Sequence, residues 1–464
     1  MSKQNINRIN LKIVVLLLIA FSLNAFGQGK SSVDEKNVRA QMQFLAGDAM
    51  QGRGSGTAFE RIAAEYIGSQ FMQFGLEPAG EDGWDGKPTF VRTVTNTRSS
   101  FDGNPTLKYG SSTAEHGKEM LVLRATGTSV SGTLQKIGMN DKPAAGSAVF
   151  IRLPADAPAN PMQGLMGMAT AGASIVLVEE TAQYRANWAN MAGRRISFTS
   201  AAKPSAIIVV SKDVASAISA MPDGTNIEFG GKATSTQLNT WNAMGKITGS
   251  DPKLASEVIL LTSHLDHLGV RENAPGTDKI FNGADDDASG SVAVLEMARV
   301  LGAGKKPKRT VYFVCFGSEE AGGYGAGWFV NNLPVAKDKL VANLEFEMIG
   351  RPDEKVKPEE LWLTGYERSN LGPELAKRGA KLVQDPHPEQ NFFQRSDNIQ
   401  LARQGIIAHT VSSFGLHKDY HQASDEVKTI DFVHMTRSIN SMVKPIQWLI
   451  NSNFVPAWVE GKKP

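Results

Sequence analysis

Five residues capable of holding a cation stand at or just beyond the ends of apolar, β-branched runs: His264, Asp286, Glu320, Glu347 and His421. Ser263-His264-Leu265-Asp266-His267 follows the run Val258 to Thr262, and Gly317-Ser318-Glu319-Glu320 follows Val311 to Phe316. Glu347 closes the run Leu340 to Phe346, and Gly283-Ala284-Asp285-Asp286-Asp287 precedes Ser289-Gly290. The five can be assembled into two mixed nitrogen and oxygen sites joined by one carboxylate. Zinc accepts imidazole and carboxylate together, whereas magnesium and calcium favour oxygen alone. A pair of such ions can clamp an attacking hydroxide and polarise a carbonyl.

Each residue also has a plain structural reading. His264 could be a buried histidine with its hydrogen bonds met, Glu319-Glu320 a solvated helix start, and Asp285 to Asp287 a cap for the helix opening at Ser289. Their delivery to successive strand ends in an otherwise apolar region favours the joint reading. No H-E-x-x-H and no G-x-S-x-G occurs, and the single cysteine, Cys315, lies inside a strand-like run. Metal-assisted hydrolysis is the chemistry left.

The elements that must position these residues are strands alternating with helices, which predicts an α/β fold: a mixed, mostly parallel central sheet with helices on both faces. Ser32-Val33-Asp34-Glu35 reads as a capping box opening a helix through Val38, Met42 and Leu45. Thr57 to Glu60 repeats the device before a helix that stops at Gly75. The link Gln51 to Gly56 is glycine-rich but follows no strand, so it is not read as a nucleotide loop. The tail from Asp431 places Phe432, Met435, Ile439, Met442 and Ile446 at helical spacing. Between about 88 and 238 the texture changes to short strand-like runs rich in Gly, Ser and Thr, with His116 the only histidine. This predicts a separate α/β insertion with a binding or shielding role.

At 464 residues the chain exceeds the usual size of one core, so two domains are expected. The formal charge of +2 includes Lys3, Arg8 and Lys12 and no acid in the first 27 residues, which leaves about −1 for the rest. No basic balance points to nucleic acid. Lys12, the apolar run Ile13 to Phe21, and Ala25 and Gly27 before Gln28 read as a secretory signal peptide, with no stable membrane span once it is removed. The expected address is exported, periplasmic or secreted.

The motifs from Ser263 to Gly290, with Gln51-Gly52-Arg53, Glu319-Glu320 and His421, resemble the co-catalytic di-zinc exopeptidases of metallopeptidase clan MH, the group of bacterial secreted leucyl-type aminopeptidases. The resemblance implies a signal peptide at 1–27, a zinc peptidase domain at 28–87 and 239–464, and an inserted protease-associated (PA) domain at 88–238. It implies two zinc ions, with Asp286 bridging, Glu320 joining His264 on one ion, and Glu347 and His421 on the other. Glu319 matches the general base, which takes a proton from the metal-bound water to give the bridging hydroxide and later protonates the leaving amine of a peptide substrate. Asp266 matches the carboxylate beneath the metals, and the Asp286–Asp287 peptide is implied to be cis. Two departures stand out: Glu347 where aspartate is commoner, and Asn398 in Ser396-Asp397-Asn398 where the family has histidine. Tyr420 is the candidate for the family's oxyanion tyrosine. His267, His387, His409, His417 and His434 read as packing histidines, with His267 close enough in sequence to support a ligand. The absence of an arginine cluster favours an aminopeptidase. A carboxypeptidase or glutaminyl cyclase of the same fold, or a receptor-like ectodomain without catalysis, are the alternatives. Oligomeric state and preferred side chain stay open.

Overall fold

The computed structural model describes residues 32–153, 161–193, 196–198 and 203–464. The segment read as a signal peptide lies outside them. The chain forms two compact units: one runs to Val94 and resumes over Asn239–Pro464, and the other is Thr95–Leu238. The second unit thus begins several residues later than the boundary at 88 expected from texture.

The strands of the first unit that bear on the site are β1 (Ala233–Ile247, whose first residues belong to the other unit), β2 (Val258–His264), β3 (Thr310–Phe316), β4 (Leu340–Phe346), β5 (Leu361–Leu363), β6 (Leu382–Gln384) and β7 (Ala408–Ser412). They lie in the order β6-β5-β7-β4-β2-β3-β1. The centre is parallel, with β2 pairing β3, β2 pairing β4, and β4 pairing β7, while β1 runs antiparallel to β3 and β5 antiparallel to β7. Such a centre must be covered on both sides, and the residues of β2 show it. Ile259 and Leu261 join a core with α1 (Glu35–Leu45), α2 (Ala58–Gln73), α3 (Gly290–Gly302), α5 (Leu371–Lys377) and α7 (Phe432–Asn451). Val258 and Leu260 join a second core with α4 (Tyr324–Asn331) and α6 (Asn398–Arg403). The alternation is the period of two that a strand imposes.

The helix ends follow their local chemistry. Asp34, rather than Ser32, caps α1 by accepting from the Lys36 amide at 3.1 Å. Thr57 caps α2, but Glu60 does not complete a capping box, because its carboxylate accepts from the Gly56 amide and turns inward. Asp431 caps α7 through the His434 amide, and the five apolar residues read from its spacing are all buried.

The second unit is itself α/β. Its parallel centre comprises Ser129–Lys136, Ala148–Ile151, Ile175–Glu179 and Ala206–Val210. Helices Met162–Thr170 and Lys212–Ala220 accompany it, and residues from alternate faces fill two separate cores.

Candidate metal centre

The site lies at the C-terminal ends of β2, β3 and β4, where loops leave the sheet. Asp286 is its centre, 2% exposed and joined to Asp287 by a cis peptide. Its two oxygens face different partners. Oδ1 is 3.2 Å from His264 Nε2, and Oδ2 is 3.2 Å from His421 Nε2 and 3.8 Å from His267 Nδ1. His264, Asp286 and Glu347 form one group with donor atoms close enough for a single ion, and His267, Asp286 and Glu320 form another. Glu320 Oε1 lies 3.0 Å from both His267 Nδ1 and His421 Nε2.

All five residues singled out from the sequence therefore meet around Asp286, but their pairing needs correction. His264 groups with Asp286 and Glu347, not with Glu320. Glu320 comes from the loop after β3 and reaches the Oδ2 side, where His421 and His267 wait. His267 is a second correction: it is not mere packing but sits in the site. Its place one residue after Asp266 was the only signal, since the sequence does not say which way the chain turns there. His387, His409 and His434 do make hydrogen bonds away from the site, and His417 bonds Asp285.

A built frame holds the ligands. Asp266 accepts from the amides of Glu319 (3.0 Å) and Glu320 (3.3 Å) and from Ser55 Oγ (2.6 Å), fixing both glutamates to the β2 loop. Glu60 accepts from Ser318 N and Thr240 Oγ1. Burial pushes it up to about 8, aided by Asp266. Asp287 accepts from the amides of His264, Gly290 and Met348. Asp425 accepts from the amides of Asp285 and Asp286 and pairs with Arg351 at 2.9 Å. Neither Asp425 nor Arg351 carried a motif that would have marked it. Ser318, Met348 and His421 adopt left-handed backbone, uncommon for residues other than glycine. Gly283 is also left-handed, and a Cβ there would come within 2.4 Å of the His267 ring.

Charge is concentrated. Burial opposes ionisation of Asp286, yet the imidazoles of His264 and His421 hold it well below the usual carboxylate range. Glu347 is pushed up to about 7 by burial, and Glu319 is raised well above its ordinary value, again by burial. Burial works against the His421 cation, but Asp286 and Glu320 lift it to about 9. The donor set fits a metal by a direct test. His264 Nε2, His267 Nδ1 and Glu320 Oε1 are buried without a hydrogen-bond partner, a cost that cation ligation removes.

Beside Glu347, a pocket is lined by Trp362, Phe392, Phe414 and Tyr420, with Arg395 its only basic residue. Tyr420 stacks on the His421 ring with centroids 3.9 Å apart.

Residues 242–444 match the model of Peptidase family M28. Leupeptin-inactivating enzyme 1 of Streptomyces exfoliatus is 28% identical over 234 residues, covering 47% of this chain and 50% of that protein. An aminopeptidase of Pseudomonas aeruginosa strain UCBPP-PA14 is 36% identical over 120 residues, 25% of this chain and 19% of the relative. The chain thus spans half or less of the length of these curated relatives. Carboxypeptidases are among the shorter matches. Among solved structures, an aminopeptidase from Aneurinibacillus sp. strain AM-1 superposes with a TM-score of 0.54 at 18% identity, covering 91% of this chain and 95% of that one. That likeness extends the shared α/β fold across nearly the whole chain.

Proposed function

We infer that the protein, whose residues 242–444 match Peptidase family M28, is a member of that family and an exported zinc-dependent exopeptidase holding two ions and removing N-terminal residues from peptides. The observation that carries this reading is that two donor groups share Asp286, with His264 at one of its oxygens and His421 at the other. His264 and Glu347 would hold one ion and Glu320 and His421 the other, with Asp286 shared.

Zinc bound there supplies Lewis acidity, polarising the scissile carbonyl and making water a stronger acid. The chain does the rest. Glu319 belongs to neither donor group and takes the proton of the attacking water at its carboxylate, then delivers it to the departing nitrogen. Its buried surroundings, which raise its proton affinity, suit that task. Asp266 positions it, because one carboxylate grips the amides of both Glu319 and Glu320. The aromatic pocket beside Glu347 accepts an apolar side chain and keeps water from it. The unit Thr95–Leu238, which among the described residues contributes none to either donor group, fits the shielding or binding role of a PA-like domain.

A second reading, carboxypeptidase, is favoured by one feature, the guanidinium of Arg395 at the pocket. Aminoacyl anilides and N-blocked dipeptides with free carboxylates, assayed side by side with zinc content measured on the same sample, separate the two. Turnover of anilides with no cleavage of blocked dipeptides is the expected result. The reverse pattern, abolished by Arg395→Ala, would make the protein a carboxypeptidase, and absence of bound zinc would remove the metallopeptidase reading.

A further inference from the structure

We propose that His267 is a fourth protein ligand of the ion held by Asp286, Glu320 and His421, so that the two metal positions differ in kind. This rests on the two-metal reading above and goes beyond it. His267 is fully buried, and neither ring nitrogen has a hydrogen-bond partner. An ion at Nδ1 would supply the partner which that nitrogen lacks.

Each of the two imidazoles has the spacing of a ligand relative to Asp286 and Glu320. Donors about 2.0–2.2 Å from a common ion lie roughly 3.0 Å apart at right angles and roughly 3.4 Å apart at the tetrahedral angle. His267 Nδ1 is 3.0 Å from Glu320 Oε1 and 3.8 Å from Asp286 Oδ2, and His421 Nε2 is 3.0 Å and 3.2 Å from the same two residues. Glu320 Oε1 faces two imidazole nitrogens at this range and hydrogen-bonds neither. Close approach without hydrogen-bond alignment is what lone pairs sharing a cation produce.

The ring is also locked in place. The His267 amide donates to Arg53 O at 3.2 Å, and Arg53 Nε in turn donates to Leu265 O at 2.8 Å. The ring rests on Gly283, where no side chain could be accommodated, and meets His421 edge to face.

Four protein donors close the second position, whereas His264, Glu347 and Asp286 leave the first with an open place for substrate. The second ion is therefore the resident one, and the first is exchangeable. Zinc titration of the metal-free full-length protein, followed by calorimetry and by zinc content after dialysis against a chelator, tests this. Wild type should bind two ions and keep one. His267→Leu, which fills the space without a donor, should weaken the tight site more than about 100-fold, beyond the 10–100-fold typical of a residue that only supports a ligand. It should also alter the visible spectrum of the cobalt(II)-loaded tight site. His267→Ala serves as the second variant if Leu disturbs folding. Weakening within 100-fold with an unchanged cobalt spectrum would overturn the inference and leave His267 as a support for Glu320, with the two-metal reading intact. A wild-type protein that binds no zinc would overturn that reading itself.

Discussion

Glu319 and Glu320 are sequence neighbours whose amides share one acceptor, Asp266, yet their carboxylates go to different work. Glu320 lies against His267 and His421, within a donor group; Glu319 lies outside both groups. Glu319→Gln should therefore retain zinc and lower kcat by about 10²–10⁴-fold, the usual contribution of a general base. Glu320→Ala should lose zinc as well as turnover. Metal content and kcat on the same preparation decide it, and loss of zinc from Glu319→Gln would make that residue a ligand. His409 offers a test of stability instead. Burial lowers it to about 4, and its neutral ring is satisfied at both nitrogens, by Thr364 O and Ser369 Oγ, each at 2.7 Å. An unfolded chain takes up this proton near pH 6.5 while the folded one does so only near 4, so stability is complete above about 6.5 and falls as pH drops through that window. The loss attributable to His409 is about 3 kcal/mol across it. A His409→Gln variant should show a flatter urea midpoint between pH 6.5 and 4 than wild type; equal slopes would refute the assignment.

At the scale of elements, the N-terminal loop is the device that sequence alone under-valued. Arg53, fully buried, donates to Leu45 O, Leu265 O, Asn282 O and Gly283 O, tying the end of α1 to the loops that carry His267 and Asp286. Burial alone lowers its pKa, while Asp266 and Asp287 oppose that. Arg53→Ala would strand four buried carbonyls at about 1–3 kcal/mol each, so a loss of at least about 4 kcal/mol is expected in urea unfolding. Lysine should not restore it, because one ammonium cannot span four acceptors; a rescue by Arg53→Lys would reduce Arg53 to a single contact. The strands themselves were legible, since Val258–His264, Thr310–Phe316 and Leu340–Phe346 are unbroken apolar runs with polar ends. So were the five convergent residues, because chemistry-bearing types at strand ends are few. What stayed hidden depends on chain direction after the strand: the oxygen of Asp286 each ligand would face, the inward turn of His267, and the amide grip of Asp425 on Asp285 and Asp286. Those are set by left-handed residues and hydrogen bonds with partners more than a hundred positions away, which leave no local pattern.

At the scale of the molecule, every residue of the donor groups and of their supporting frame belongs to one unit, and each unit fills its own cores. The first unit should therefore keep its fold and its metals without Thr95–Leu238. The geometry for such a cut exists. Met244 N donates to Phe90 O at 2.7 Å, and Ser99 Oγ meets Ser235 Oγ at 2.8 Å. The outgoing strand Val91–Phe101 and the returning β1 are neighbours in the sheet and by these contacts run in opposite directions, so Val94 and Asn239 can be joined by an Asn-Gly hairpin turn. The joined protein should bind the same number of zinc ions as the full chain. It should also hydrolyse a small aminoacyl anilide at a comparable kcat, since the donor groups found among the described residues lie wholly in the retained unit. Longer peptides are where the two should part, with KM changing more than kcat if the excised unit binds or screens substrate. A folded, joined protein that had lost its zinc would show that the second unit is needed to hold the site, and would end its description as a separable accessory.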